Sequence, residues 1–349
     1  MSGTRADAPA ETAAVREQVL AHLREDTSFV LATHENPDGD ALGSLVAMQG
    51  LLTSLGKRSE MFIAPSDLPL PREYRMFPLD GLISEPPADV PERTVVFLDC
   101  GNIDRNSASV LRDGAHLINI DHHHDNTRFG TLNMVDPQAS CTAEIVWCLM
   151  GGLDIVPGPV VAEALYVGLI TDTGRFMYEN TTARSHRMAA ALIEAGVEPP
   201  LVYRRLYEDM PAGKLTLLGT ALSAMRRFDG GELTIATLSA EDFREADAED
   251  SYSEGIIDQL RALEGTKVAA LVRELSTGER AGQHKVSLRA TCDDVDVSVI
   301  ARAQGGGGHR RAAGFTTAMS DAELLAFLRE AIAAQLHPSA DGRPAVTPA

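Results

Sequence analysis

Four clusters of histidine and aspartate in the first half of the chain carry side chains that bind divalent metal ions. Each cluster follows an apolar run that predicts a buried strand: Phe29–Ala32, Val95–Leu98, Leu117–Ile120 and Val167–Ile170. The clusters themselves are His34–Asp40, Asp99, Asp121-His122-His123-His124 and Asp172. Because the carboxyl ends of parallel strands meet at one edge of an open α/β sheet, we expect the clusters to form a single site.

The types of ligand in these clusters indicate which metal would bind. The candidate metal ligands are two imidazoles and four carboxylates, with no thiolate: His34, Asp38, Asp40, Asp99, His122 and Asp172. This mixture suits Mn²⁺ or Mg²⁺ better than structural zinc, and Co²⁺ is a further alternative. Asp99, on a central strand, would bridge two ions.

The predicted reaction is phosphoester hydrolysis. Two ions about 3.5–4 Å apart activate a shared water and stabilise both oxygens of an in-line displacement at phosphorus. In an extended backbone His123 faces away from His122, so it would donate a hydrogen bond to a phosphate oxygen or to the leaving group. Asp99 and His123 are therefore the candidate catalytic residues.

A glycine-rich segment near the C-terminus predicts a phosphate-binding loop. Gly305, Gly306, Gly307 and Gly308 precede His309 and two arginines. Consecutive residues without side chains let backbone N–H groups approach an anion. The alternative is a flexible linker, but linkers are usually serine-rich. Weaker candidates for phosphate contact are Arg175, Arg273, His284 and Arg289.

The elements that must position these residues form two α/β domains. From residue 15 to 200, strand-like runs alternate with helical patterns, which predicts a parallel sheet with crossover helices. Residues 201–229 are predicted to form a helical connector. Residues 230–336 predict a smaller α/β domain, whose last helix begins with Ser320 and Glu323 in capping-box spacing. Residues 1–14 and 337–349 are predicted to be disordered tails.

Individual helices and strands are also predicted within these two domains. Helices are expected over Asp40–Met48, Ala143–Leu149, with Ser140 or Thr142 as its cap, and Ile256–Leu263. Strands of the second domain are expected over Leu233–Leu238, Val268–Leu275 and Lys285–Ala290.

Composition limits the partners. The 349 residues include 31 basic and 50 acidic side chains, a net charge of −19, which disfavours binding to long nucleic acid and favours short substrates. No apolar run is long enough to span a membrane, and the N-terminus lacks a signal-peptide core. The four cysteines form no CxxC pair, as expected in the cytoplasm.

At these motifs the chain resembles the DHH phosphoesterases, in particular the NrnA-like subgroup with a C-terminal DHH-associated domain. The resemblance extends from about Val15 to Leu336. It implies that one manganese is held by His34, Asp38 and Asp99 and the other by Asp40, Asp99, His122 and Asp172. It further implies that His123 contacts the scissile phosphate, and that His309 and the glycine loop hold the substrate across a cleft between the domains.

The resemblance also implies an activity. Members of the subgroup hydrolyse very short RNA, from the dinucleotide upward, to nucleoside 5′-monophosphates and remove the 3′-phosphate of 3′-phosphoadenosine 5′-phosphate (PAP). A cyclic di-AMP or pApA phosphodiesterase is the first alternative, and a metal-dependent nucleotide-binding protein without catalysis is the second. A pyrophosphatase or exopolyphosphatase shares the metal motifs but fits the glycine loop less well. A homodimer formed through apolar helices of the first domain is also expected.

Overall fold

The computed structural model describes residues 10–79, 81–104, 106–276 and 280–337. The chain divides into two compact units, Met1–Asp209 and Met210–Ala349. The boundary falls inside the segment predicted as a connector. Residues 1–9 and 338–349, which belong to the predicted tails, lie outside the described residues.

The first unit contains six α-helices and six strands within its described residues. In chain order they are α1 (Ala10–Glu25), β1 (Ser28–Ala32), α2 (Gly39–Ser54), β2 (Arg58–Phe62), β3 (Leu82–Ile83), β4 (Thr94–Leu98), β5 (His116–Asp121), β6 (Leu132–Val135), α3 (Thr142–Gly152), α4 (Pro159–Asp172), α5 (Ala183–Glu194) and α6 (Pro199–Tyr203). A π-helical turn, Arg204–Glu208, follows α6.

All six strands of the first unit are parallel and form one sheet in the order β3-β2-β1-β4-β5-β6. Every residue of β4 is buried, and so are the last four of β1 and the last five of β5. Apolar strands of this kind are covered on both faces, as parallel sheets require. The α/β prediction is therefore confirmed. The strand order reverses between β1 and β4, so their carboxyl ends border the crevice where such sheets bind ligands.

Three predictions for the first unit are wrong. The N-cap of α3 is Cys141, whose side chain makes no capping hydrogen bond, and not Ser140 or Thr142. Val167–Ile170 lies in the 14-residue helix α4, not in a strand, and Asp172 is the last residue of that helix. Periodicity does not separate a short buried strand from part of a buried helix, and α4 is apolar on all sides. Residues 10–14, predicted as disordered, are the first turn of α1, because alanine favours the helix.

The second unit contains a mixed sheet. Its elements are α7 (Ala212–Ser223), β7 (Arg226–Phe228), β8 (Leu233–Leu238), α8 (Ala240–Glu245), α9 (Ile256–Arg261), β9 (Val268–Glu274), β10 (His284–Ala290), α10 (Val297–Arg302), β11 (Gly307–His309), β12 (Ala312–Thr317) and α11 (Asp321–Leu336). The strand order is β11-β12-β10-β9-β8-β7, and only β8 and β9 are parallel.

Most of the local predictions for the second unit are confirmed. The three predicted strands are present within one residue of their predicted ends. The side chain of Ser320 accepts the N–H of Glu323, and the Glu323 carboxylate accepts the N–H of Ser320, so the capping box is formed. The predicted helical connector instead consists of α6, the π-turn, α7 and strand β7. Within the described residues, no helix combines the length and the apolar character needed to cross a bilayer.

Candidate metal centre

The first group of ligand atoms lies where β1 and β4 end. His34 Nε2 is 3.9 Å from Asp38 Oδ1 and 3.5 Å from Asp99 Oδ2. The other ring nitrogen, Nδ1, is 2.7 Å from the carbonyl of Glu35. That hydrogen bond leaves Nε2 facing the two carboxylates, which is how metal-binding histidines are usually oriented.

Asp99 follows β4 in a strained backbone conformation. Its φ is +57°, in the left-handed region that residues with a Cβ rarely occupy. The Asp99 N–H donates to the carbonyl of Ile120, and Oδ1 accepts the hydroxyl of Thr142 at 3.0 Å. Strain of this kind persists where the surrounding structure imposes it, most often at functional sites. Asp99 thereby directs one oxygen toward His34 and the other toward β5.

Asp40 lies in the first turn of α2 and is 1% exposed. Its Oδ2 accepts the N–H of Thr142 at 2.7 Å and its Oδ1 accepts the N–H of Ala143 at 2.9 Å. These amides are at the N-terminus of α3, where a carboxylate is favoured by the helix dipole. Sequence reasoning selected Asp40 as a ligand, but the chain gives no local signal that α3 holds it.

The second group of ligand atoms joins β5 to the end of α4. His122 Nε2 is 3.6 Å from Asp99 Oδ1 and 3.6 Å from Asp172 Oδ2. The Asn180 side chain donates to Asp172 Oδ2 at 3.2 Å and to the Ser140 carbonyl at 2.8 Å. A carboxylate at a helix C-terminus opposes the helix dipole. Asp172 is thus placed where its charge needs a cation.

His123 is held by Asp121, a carboxylate that is completely buried. Asp121 Oδ1 is 2.7 Å from His123 Nδ1 and accepts the N–H of His122 at 2.8 Å, while Oδ2 accepts the side chain of Asn126. Burial would lower the pKa of His123, but the hydrogen bond to Asp121 and the nearby carboxylates raise it to about 10. The contact with Asp121 therefore favours the protonated ring of His123, which can donate a hydrogen bond.

Glycines let α2 and α4 approach closely enough to bring Asp40 and Asp172 together. A Cβ on Gly43 would lie 2.4 Å from the carbonyl oxygen of Ala164, and one on Gly168 would lie 2.8 Å from Asp40 Oδ1. Side chains at these positions would separate the two helices. The position of Asp172 beside the strand-borne ligands thus depends on helix packing.

The carboxylates of the centre destabilise one another. Burial raises the pKa of Asp40 well above its usual range, and the charges of Asp99 and Asp172 raise it further. The pKa of Asp172 is raised by burial and then by Asp99 and Asp38. Bound cations would relieve this repulsion.

The six candidate ligands fit divalent metal ions. Within each of three groups, potential ligand atoms all lie within 4.8 Å of one another. The groups are His34, Asp38 and Asp99; Asp40, His122 and Asp172; and Asp99, His122 and His123. Asp99 belongs to two of them, as a bridging carboxylate would. This oxygen- and imidazole-rich set suits Mn²⁺ or Mg²⁺.

The structure changes the interpretation of the glycine segment. The N–H groups of Gly305 and Gly306 donate to the carbonyls of Arg302 and Ala301, so four consecutive amides do not converge on one anion. Gly307 and Gly308 belong to β11, which pairs with β12. A Cβ on Gly308 would lie 2.5 Å from the carbonyl oxygen of Ala312. β11 is an edge strand of the sheet, so some of its backbone groups face away from β12.

The candidate phosphate-binding residues of the second unit are not all at the same end of its sheet. The backbones of His309, Ala312 and Arg289 are in register across β11, β12 and β10. His284 is at the other end of β10, with its ring 3.0 Å from the Met319 carbonyl.

The two remaining arginines have partners elsewhere. Arg273 donates to the Asp250 carbonyl and the Ser253 hydroxyl of the second unit. Arg175, in the first unit, lies 5.1 Å over the ring of Tyr207.

Sequence reasoning missed four residues that support the centre: Asp121, Asn126, Thr142 and Asn180. The sequence marks Asp121 only as the first residue of the Asp-His-His motif, and its place at the end of a buried strand is the signal that could assign it an orienting role. The other three contact the centre through folding alone, and the sequence around them is typical of ordinary loops and helix starts.

Comparisons with known proteins agree with the two-unit architecture. The DHH family, N-terminal domain, matches residues 28–169, and the DHHA1 domain matches residues 230–337. The chain is 35% identical over 287 residues to the bifunctional oligoribonuclease and PAP phosphatase NrnA of Thermus thermophilus. That similarity covers 82% of this chain and 83% of the relative.

Solved structures share the fold. An exopolyphosphatase-related protein from Bacteroides fragilis superposes with a TM-score of 0.84 at 22% identity, covering 95% of this chain and 97% of the other. RecJ from Thermus thermophilus, solved in complex with Mn²⁺, gives a TM-score of 0.51 at 16% identity, covering 93% of this chain and 54% of the other. At these identities the likeness concerns the fold alone.

Proposed function

The chain belongs to the DHH family, with an N-terminal DHH domain and a C-terminal DHHA1 domain, and on that premise we propose that it acts on short nucleotides. It is a hydrolase of phosphoester bonds. We propose two activities for it. It hydrolyses RNA of a few nucleotides, from the dinucleotide upward, to nucleoside 5′-monophosphates, and it removes the 3′-phosphate of PAP.

One observation carries the proposal: six metal-type side chains meet at the strand-order reversal in two groups, and Asp99 of the first group lies 3.6 Å from His122 of the second. A site that only binds a nucleotide does not need a second set of metal ligands beside the first. The similarity to the Thermus thermophilus oligoribonuclease and PAP phosphatase, which covers most of both chains, supports the choice of substrate class.

We propose that His34, Asp38 and Asp99 hold one Mn²⁺ ion, and that Asp40, Asp99, His122 and Asp172 hold the other. Ions in these positions would supply an acidic water and positive charge at the phosphate. His123, held by Asp121, donates a hydrogen bond to a phosphate oxygen. Asp121 orients the ring of His123, and the side chain of Asn126 donates a hydrogen bond to the other oxygen of the Asp121 carboxylate.

The phosphate that is not cleaved is proposed to bind the second unit. The edge strand β11 offers backbone groups of Gly307 and Gly308, and Arg289 is in register with it through Ala312. We retain His309 in this proposal on the resemblance alone. The net charge of −19 opposes long polyanions, and short substrates with few phosphates are repelled least.

The direct test is a comparison of four substrates with Mn²⁺ present: a 5′-labelled RNA dinucleotide, a 24-nucleotide RNA, PAP and cyclic di-AMP. Asp99→Ala is the inactive variant. His124→Ala is the matched control, because His124 belongs to the same histidine run but is exposed. We expect rapid hydrolysis of the dinucleotide and of PAP, slow hydrolysis of the 24-mer, and no hydrolysis by Asp99→Ala.

The alternatives give different results. Preferred hydrolysis of cyclic di-AMP would replace the proposal with a cyclic-dinucleotide phosphodiesterase. Nucleotide binding without turnover of any substrate would identify a metal-dependent binding protein. If His124→Ala lost as much activity as Asp99→Ala, the assignment of Asp99 as a metal ligand would be refuted.

A further inference from the structure

A second group of metal-type side chains lies outside the candidate centre. It consists of His22 near the end of α1, Asp26 just after that helix, and His116 at the start of β5. His22 Nδ1 is 3.0 Å from Asp26 Oδ2, and the two imidazole rings are 4.5 Å apart between centroids. One ligand atom from each residue lies within 4.8 Å of those of the other two.

This group lies at the amino-terminal ends of the strands, whereas the candidate centre lies at their carboxyl-terminal ends. His116 is the first residue of β5 and pairs in register with Thr94, the first residue of β4. Asp99 and His122 follow the other ends of the same strands. With a rise of about 3.3 Å per residue, the six residues of β5 separate the two sites by roughly 20 Å. Metal at one site therefore does not share ligands with the other.

Neighbouring groups already hold the carboxylate of Asp26 in place. The hydroxyl of Thr94 donates to Asp26 Oδ2 at 2.5 Å, and the Asp26 N–H donates to the His22 carbonyl at 2.9 Å. The spacing of four residues puts His22 and Asp26 on one face of the chain, as i and i+4 positions of a helix do. Support of a ligand by a second polar group is typical of metal sites.

We propose that His22, Asp26 and His116 bind a late first-row divalent cation such as Zn²⁺. Two imidazoles and one carboxylate suit zinc, whose fourth position is then taken by water. Zinc–ligand distances of about 2.0–2.1 Å place tetrahedral ligand atoms roughly 3.3 Å apart, close to the observed spacing of His22 and Asp26. The ion would link the end of α1 to the first residue of β5.

The test uses Zn²⁺ alone on the full-length protein. In crystals soaked with ZnCl₂, anomalous diffraction at the zinc edge is expected to give a peak among the three side chains. In solution, calorimetric titration of His116→Ala is expected to show one zinc ion fewer than wild type. His22→Ala should also bind one zinc ion fewer. At the least, its zinc affinity at this site should fall more than the 10–100-fold that is typical when a supporting residue is removed.

His337→Ala is the matched control. His337 is 60% exposed and lies 3.0 Å from one carboxylate, that of Glu232, but it belongs to none of the metal-type groups among the described residues. Zinc binding by this variant should equal that of wild type. Manganese-supported turnover should be unchanged in His116→Ala, which separates this site from the proposed function. Absence of the anomalous peak, or equal zinc binding by wild type and His116→Ala, would overturn the proposal.

Discussion

At the residue scale, the buried carboxylates of the candidate centre are held in place by hydrogen bonds while their charges repel one another. Asp40 is fixed by two amides of α3, and Asp121 by three donors. Such an arrangement lowers the folding stability of the protein without metal, and it holds the ligands in place before metal binds. Removing a charge and removing a supporting hydrogen bond should therefore have opposite effects on stability.

Asp172→Asn should stabilise the metal-free protein. The folded-state pKa of Asp172 is raised by burial and by neighbouring carboxylates. The folded protein therefore binds this proton more tightly than the unfolded chain, and stability is lost as pH rises from about 4 through the raised pKa. Asparagine can still accept the hydrogen bond from Asn180.

The measurement is the melting temperature of wild type and Asp172→Asn with a chelator present, from pH 4 to pH 8. The advantage of the variant should grow with pH, whereas Mn²⁺ should stabilise the wild type more than the variant, which loses a ligand of one of the two ions. A difference that is constant with pH, or that favours the wild type throughout, would show that the charge of Asp172 is already compensated without metal.

Asp121→Asn should reduce turnover rather than manganese binding. Asp121 contacts His123 and the backbone of His122 but belongs to none of the ligand groups among the described residues. Loss of a supporting partner typically lowers activity about 10–100-fold. We expect a fall of that size in kcat, with the Mn²⁺ affinity unchanged. Asp125→Asn, in the exposed part of the same loop, is the control, and an equal effect there would refute the orienting role.

At the element scale, the contact between α2 and α4 brings the helix-borne ligands to the strand-borne ones. Gly39, Gly43 and Gly50 of α2 face α4, and each would clash with it if it carried a Cβ. A close helix contact of this kind fixes the relative position of Asp40, at the start of α2, and Asp172, at the end of α4. The centre is thus sensitive to a methyl group added at the contact between these two helices.

Gly168→Ala should weaken both the fold and metal binding. The added methyl would lie 2.7 Å from Ala143 Cβ and 2.8 Å from Asp40 Oδ1. Overpacking of a core costs about 1–3 kcal/mol of unfolding free energy, and displacement of Asp40 should lower the Mn²⁺ affinity. Urea unfolding and Mn²⁺ titration measure the two effects.

Gly151→Ala is the control for that substitution. Gly151 is in helix α3, and a Cβ there would have no neighbour within 4 Å. Because alanine favours the helix, this change should be neutral or stabilising by up to about 1 kcal/mol. If Gly168→Ala behaved like Gly151→Ala, the close approach of α2 and α4 would not be needed for the centre.

At the scale of the whole molecule, every candidate metal ligand and every residue that supports one belongs to the first unit. That unit has its own hydrophobic clusters, and so does the second. The candidate phosphate-binding strand β11 belongs to the second unit. The proposal thus places the metal ions and the cleaved phosphate in the first unit, and the phosphate that is not cleaved in the second.

A fragment of residues 1–209 should bind Mn²⁺ as tightly as the full chain but hydrolyse neither PAP nor the RNA dinucleotide. Electron paramagnetic resonance of free Mn²⁺ measures the binding, and circular dichroism establishes that the fragment is folded. A folded fragment that fails to bind Mn²⁺ would show that the second unit supplies ligands. A fragment with full turnover would remove the second unit from substrate binding.

The sequence by itself determined the candidate ligands and the two α/β units. Apolar runs followed by histidine or aspartate are local patterns, and β1, β4 and β5 end within one residue of where those patterns predict. The same holds for the capping box of α11, whose two residues are three positions apart. Local spacing is sufficient in such cases because the interacting groups are neighbours in the chain.

Only the tertiary structure decided how the groups meet. Asp172 reaches His122 from a helix rather than a strand, Asp40 is held by amides about 100 residues away, and two glycine amides predicted to bind phosphate instead end α10. His22 and His116 likewise become neighbours only when α1 packs at the start of β5. These contacts depend on strand order and helix packing, which are set by burial over the whole unit and leave no periodic trace in the sequence.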